Sequence, residues 1–120
     1  MVAFAIKEGI EGKDVSPEGS EFLALAVLSD PVRPDVKEAV ASLLKAGIST
    51  YIVTGDHPTT ARMVARAIDI DSDVLSGNDM EKMDDRALSD KLFSVKVFAR
   101  ISPTQKQRLV TLLKQKGETV

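Results

Sequence analysis

The sequence predicts an α/β domain built on a parallel sheet with flanking helices. Three observations carry that expectation. Apolar runs of strand length alternate with stretches of helical period, the connections between them are short, and proline, serine and glycine mark helix starts and stops.

Taken in order, the opening "MVAFAIKE" reads as a short strand. Residues 9–21, "GIEGKDVSPEGSE", are rich in glycine and charge, lack either period, and read as a loop or linker. "FLALAVL" (22–28) is a continuous apolar run, as expected of a strand covered on both faces. "RPDVKEAVASLLKAG" is a helix with Val36, Ala39, Val40, Leu43 and Leu44 on its apolar face. Pro34 suits its first turn and Gly47 its C-terminal cap. "ISTYIVT" (48–54) is the next strand, followed by a helix from residue 58 to about 69. Residues 71–93 are acidic and irregular, with one or two short helices between Asp79 and Phe93. "VKVFA" (95–99) is a further strand. "SPTQKQRLVTLLKQKG" is a long helix with Ser102 as cap, Pro103 at its first position and Gly117 as its stop.

The bulk composition excludes several function classes. With 18 acidic and 16 basic residues among 120, the chain lacks the charge balance of a dedicated nucleic-acid binder. It has no cysteine, hence no disulfide frame, thiol nucleophile or thiolate metal site. The single His57 cannot hold zinc alone, and no metal ligand set is visible. No apolar run approaches the ~18 residues of a membrane span, so a soluble intracellular domain is expected.

Ligands of parallel sheets gather at the carboxyl ends of the strands. Three strand ends carry unusual chemistry here: "SDPVRP" with Asp30 and Arg33, "TGDHP" with Thr54, Gly55 and Asp56, and "ARISPTQK" with Arg100 and Lys106. Each is followed by a helix that proline opens, which brings backbone N–H groups and a positive helix end to the same edge. Lys106 falls in the first turn of its helix, where a cation opposes the macrodipole by roughly 0.3–1 kcal/mol. That placement makes sense if an anion binds there. The ordinary readings stand beside it: solvated surface charges, a hydroxyl that caps a turn, a turn glycine, a carboxylate the helix end favours. His57, before Pro58, is read as a structural cap.

Together, "DPVRPDV", "TGDHPTTA" and "VFARISPTQKQRLV", in this order and spacing, resemble the cytoplasmic phosphorylation domain of P-type ATPases. The wording is closer to the calcium and sodium/potassium branch than to the heavy-metal branch. The resemblance implies a Rossmann-like, haloacid-dehalogenase-like fold. It implies that residues 1–20 are the end of the nucleotide-binding domain with a linker, and 21–120 a partial phosphorylation domain. It implies that Thr54 hydrogen-bonds the transferring phosphoryl group, Gly55 lets the backbone approach it, Asp56 orders the site and Lys106 neutralises phosphoryl oxygens. Arg100 is implied to touch the nucleotide, and Asp30 and Arg33 to lie at the hinge between domains. ATP and Mg2+ are the implied cofactors of the parent enzyme. The rest of the pump (nucleotide, actuator and membrane domains) is the implied partner.

The chain also departs from that family. The Asp-Lys-Thr-Gly-Thr motif that supplies the family's phosphorylated aspartate is not in the sequence, and neither is the Gly-Asp-Gly loop of its magnesium aspartate. A fragment with an incomplete sheet is therefore expected, inactive alone, and drawn from the cytoplasmic portion of a membrane pump. The open sheet edge is expected to support a homodimer. The competing reading is a stand-alone, non-catalytic module that binds nucleotide, phosphate or a pump partner.

Overall fold

A computed structural model describes residues 1–8, 16–27 and 31–120. The chain divides into two compact units, Met1–Pro31 and Val32–Val120.

The first unit is an antiparallel pair, β1 (Val2–Ile6) and β2 (Glu21–Ala26), with an irregularity in register at Phe4/Ala5. The Lys7 ammonium donates to the Ser16 and Glu18 carbonyls at 3.3 and 2.7 Å and so steadies the return of the chain. This corrects the expectation for "FLALAVL". Its residues do not form a strand covered on both faces: Phe22, Leu23 and Leu25 are 66%, 65% and 51% exposed, and the strand pairs with β1 rather than joining a parallel sheet. A continuous apolar run gives no period, so it cannot by itself distinguish a doubly covered strand from a hairpin arm with apolar side chains on both faces.

The second unit is the α/β domain. Its helices and strands run α1 (Val36–Lys45), β3 (Ile52–Val53), α2 (Pro58–Ala67), β4 (Val74–Ser76), α3 (Gly77–Glu81), α4 (Asp85–Lys91), β5 (Val97–Ala99) and α5 (Pro103–Gln115). The sheet is parallel, in the order β3-β5-β4. The chain passes over β5's place to make β4 and then returns to fill the gap. Right-handed crossovers in opposite directions put their helices on opposite faces.

The two apolar clusters follow from that. Val97 and Ala99 point to the face where Val40 of α1 and Ala61 and Ala65 of α2 pack, together with Ile68 and Ile70. Phe98 points to the other face, among Met80, Leu88, Leu92, Leu109 and Leu112. The same alternation puts Ile52 and Val74 on the first face and Tyr51, Val53 and Leu75 on the second. β5 is buried throughout, as the middle strand of a doubly covered sheet must be.

Helix ends obey local chemistry. α1, α2 and α5 all stop in the same two-bond cap. Ile48, Ile70 and Glu118 donate back to the Leu43, Ala65 and Leu113 carbonyls, while Gly47, Asp69 and Gly117 take positive φ. The strands expected over 48–54 and 95–99 shorten to Ile52–Val53 and Val97–Ala99, and two further details differ from expectation. β4, only three residues long, was hidden in the acidic stretch. Pro34 lies in the turn before α1 rather than in its first turn, whereas Pro58 and Pro103 do open their helices.

Candidate functional site

At the carboxyl ends of β3, β5 and β4 the chain leaves the sheet at Thr54, Arg100 and Gly77. The Thr54 N–H still donates to the Phe98 carbonyl at 3.0 Å, so the ladder runs to the last residue before the turn. The Thr54 hydroxyl donates to Asp56 Oδ2 at 2.8 Å and accepts from the Asp56 N–H at 3.1 Å. The ordinary reading of this pair is thus realised: hydroxyl and carboxylate brace their own turn. Both groups still face outward, Asp56 exposed and Thr54 half-buried. A Cβ added at Gly55 would meet nothing within 4 Å, so the space over that glycine is open. His57 caps α2 as expected, its Nδ1 accepting from the Thr59 N–H at 3.3 Å.

The loop after β5 crosses directly to this turn. Arg100 and Ile101 donate their N–H groups to the Asp56 and Thr54 carbonyls, each at 3.0 Å. Arg100 takes a left-handed backbone (φ 52°), unusual for a residue with a side chain. Ser102 and Gln105 then form a reciprocal capping box at the start of α5, with Gln105 N–H to Ser102 Oγ at 3.2 Å and Ser102 N–H to Gln105 Oε1 at 2.9 Å. Lys106 is exposed, one position beyond the box, and its stem lines an apolar groove with Tyr51, Val53 and Leu109. Among the described residues neither Lys106 nor Arg100 is in an ion pair.

The structure therefore brings together Thr54, Asp56, Arg100 and Ile101 by hydrogen bonds, with Gly55 between the first two and Lys106 on the adjoining helix start. It does not add Arg33 to them through a bond or ion pair. Arg33 is exposed beside Asp35, with Nε 3.7 Å from its carboxylate, and the pair is 79% and 74% exposed. Asp30 lies outside the described residues. The third strand end of the sheet is Ser76–Gly77, which the sequence reading did not single out. Gln105 was missed too, although Ser-x-x-Gln ahead of an apolar run spells a capping box.

The donor set suits an anion. It offers an exposed ammonium, an exposed guanidinium and the N-terminus of a 13-residue helix, while the hydrogen of the Thr54 hydroxyl is given to Asp56. It does not suit a metal: the described residues gather no cluster of three or more carboxylates and imidazoles able to hold one.

Comparison with known proteins identifies the family. The family model for haloacid dehalogenase-like hydrolases matches residues 3–120. Calcium-transporting ATPase 1 of Yarrowia lipolytica is 35% identical over 127 residues, covering 100% of this chain and 14% of that protein. The plasma membrane-type calcium-transporting ATPase 7 of rice is 37% identical, covering 99% of the chain and 13% of its own length. Calcium-transporting ATPase 1 of Bacillus cereus is 36% identical, covering 100% and 14%. The chain thus spans about a seventh of the length of these relatives. No described helix is long and apolar enough to cross a membrane. The chain belongs to the haloacid dehalogenase-like hydrolases, and within them it matches a segment of cation-transporting P-type ATPases.

Proposed function

We propose that this chain supplies the phosphoryl- and nucleotide-binding corner of the phosphorylation domain in an ATP-driven cation pump, on the cytoplasmic side of the membrane. One observation carries the reading. The Arg100 and Ile101 N–H groups bond the Asp56 and Thr54 carbonyls, which locks the two motifs into one corner that bears outward-facing cations.

In this role Lys106 neutralises phosphoryl oxygens and Thr54 directs its hydroxyl at one of them. In the free chain Asp56 accepts that hydroxyl's only hydrogen at 2.8 Å, so in this role the hydroxyl turns away from Asp56 to donate to the phosphoryl group. Gly55 leaves room for the anion to approach the backbone, since nothing within 4 Å would meet a Cβ there. Arg100 reaches the nucleotide. Arg33 follows the boundary between the two compact units, which supports its reading as a hinge residue, and Asp30 is read as its companion from the sequence motif alone. ATP fits through its phosphates. These residues do not fit magnesium, and the chemistry proposed for them stops at holding and orienting phosphate.

The reading also makes the remainder of the pump the chain's partner and leaves the isolated chain without catalytic turnover. A non-catalytic phosphate-binding module would use the same corner, so the first test is binding itself. Titration of the isotope-labelled chain with inorganic phosphate is expected to shift the amides of residues 54–56 and 100–106. Lys106→Ala is expected to lose most of that response. Identical responses from the wild type and Lys106→Ala would mean that no anion site exists there.

A further inference from the structure

We infer that Gly77 and Gln105 are positioning residues of the phosphate corner: they fix the course of the Arg100–Ser102 loop that joins its two motifs. The inference rests on the phosphate-holding reading above and names residues outside its motifs.

The loop is held from two sides. On one side are the bonds from Arg100 and Ile101 to the Asp56 and Thr54 carbonyls. On the other is Gly77, the first residue after β4. A Cβ built there would fall well inside contact distance of the Arg100 carbonyl oxygen, 2.7 Å from Gln105 Oε1 and 3.3 Å from the Arg100 carbonyl carbon. Gly77 does not have a positive φ, unlike Gly19, Gly47 and Gly117. Its glycine is therefore required by space and not by backbone conformation. The neighbour it makes room for is backbone, which cannot swing aside as a flexible side chain could. Arg100 meanwhile pays for a left-handed conformation, which persists only where the surroundings enforce it.

Gln105 closes the clamp. Its Nε2 donates to the Gly77 carbonyl and to Glu81 Oε1, both at 3.0 Å, while its Oε1 accepts from the Ser102 N–H at 2.9 Å. One half-buried amide thus ties the start of α5, where Lys106 stands, to the end of β4 and to the loop. If the tie or the space is lost, the Arg100 carbonyl must move. The cation-bearing helix start and the Thr54–Asp56 turn then lose their common register.

The test uses the whole chain and inorganic phosphate. Gly77→Ala and Gln105→Ala are expected to speed amide exchange at Arg100 and Ile101 at least tenfold and to weaken phosphate binding at least fivefold. Exchange is read relative to the Val97 and Phe98 amides of β5, which removes the contribution of global unfolding. On that scale Arg108→Ala, which loosens the same helical layer without touching the loop, is expected to leave both signals as in the wild type. If Gly77→Ala does not fold, Gln105→Ala decides alone. Wild-type protection at Arg100 and Ile101 in Gln105→Ala, or equal losses in Arg108→Ala, overturns the inference. A wild type that ignores phosphate refutes the functional reading, and the exchange rates then still decide whether Gly77 and Gln105 position the loop.

Discussion

Arg108 holds Asp85 with two nitrogens: Nε and Nη2 both lie 2.7 Å from the same carboxylate oxygen. The guanidinium also donates to the Met80 carbonyl at 3.1 Å and the Met83 carbonyl at 2.8 Å. One side chain of α5 therefore closes the end of α3, the turn after it and the start of α4. Arg108 is mostly shielded, with 30% of its side chain exposed, while Asp85 is 70% exposed. The two carbonyl bonds therefore matter more than the ion pair, which water screens. Arg108→Ala is expected to destabilise the domain by about 1.5–3 kcal/mol, the range for hydrogen bonds to a charged group. Asp85→Ala is expected to cost clearly less. Urea unfolding of the two variants checks the order, and equal losses would contradict it.

Asp79 offers a pH-dependent contribution with a defined sign. The Ser76 hydroxyl donates to its carboxylate at 2.5 Å, and this bond is the main reason its pKa lies below the usual carboxylate value; desolvation, next in size, opposes it, and the Ser76 backbone and Lys82 lower it further. A carboxyl whose pKa is depressed on folding stabilises the fold above its unfolded pKa, and that contribution fades as pH falls through the folded value. Carboxyl carbon titration is expected to show Asp79 ionising at lower pH than in Ser76→Ala. The same midpoint in both proteins would remove the hydroxyl as the cause.

The isolated chain is expected neither to hydrolyse ATP nor to form an acyl phosphate, because its sequence contains no Asp-Lys-Thr-Gly-Thr motif to supply the aspartate nucleophile. Incubation with radiolabelled ATP, acid quench and hydroxylamine treatment reads this directly. A hydroxylamine-sensitive label above background would show a nucleophile that the motif comparison overlooked. In an intact pump that contains this segment, Lys106→Ala and Thr54→Ala are each expected to slow phosphorylation by ~2.7–4 kcal/mol, as loss of one preorganised electrostatic group typically does.

What the sequence revealed, and what it hid, divides by range. α2 and α5 were legible because their signals are local: proline at the first position, a cap residue before it, and apolar residues at helical spacing. The Thr54–Asp56 and Arg100–Lys106 motifs were legible as words. Their meeting at one sheet edge was legible from the strand ends, but the two backbone bonds that join them were not, because they link segments more than forty residues apart in sequence. β4 was unreadable because Val74–Ser76 is too short to show a period. Gly77 was passed over because a glycine kept for space looks the same in sequence as one kept for a turn. The end of α2 was read at about residue 69 without a glycine to mark it, and Asp69 holds the left-handed position (φ 59°) that Gly47 and Gly117 fill elsewhere.

The edge of the sheet carries the last prediction. β5 has neighbours on both sides, but among the described residues β3 pairs with β5 alone, so its other side has no ladder partner. Apolar surface borders that edge on both faces. On one, Tyr51, Val53, Leu109 and Leu113 line a groove of about 190 Å³. Leu43, Leu44 and Ile48, around the end of α1, are 39%, 54% and 52% exposed. An unpaired parallel strand flanked in this way invites pairing with another chain. A small domain has little reserve with which to resist, typically about 5–15 kcal/mol even when complete. The expected outcome in solution is either a dimer joined through β3 or a monomer that melts with low cooperativity. Light scattering across a concentration series, with a thermal melt on the same sample, separates the two. Lys replacing the exposed Ile48 should abolish a dimer of this kind, since it would bury a charge without a partner at the joint. A strict monomer with a sharp two-state transition would show that the β3 edge is closed in solution, and the incomplete-sheet picture would then be wrong.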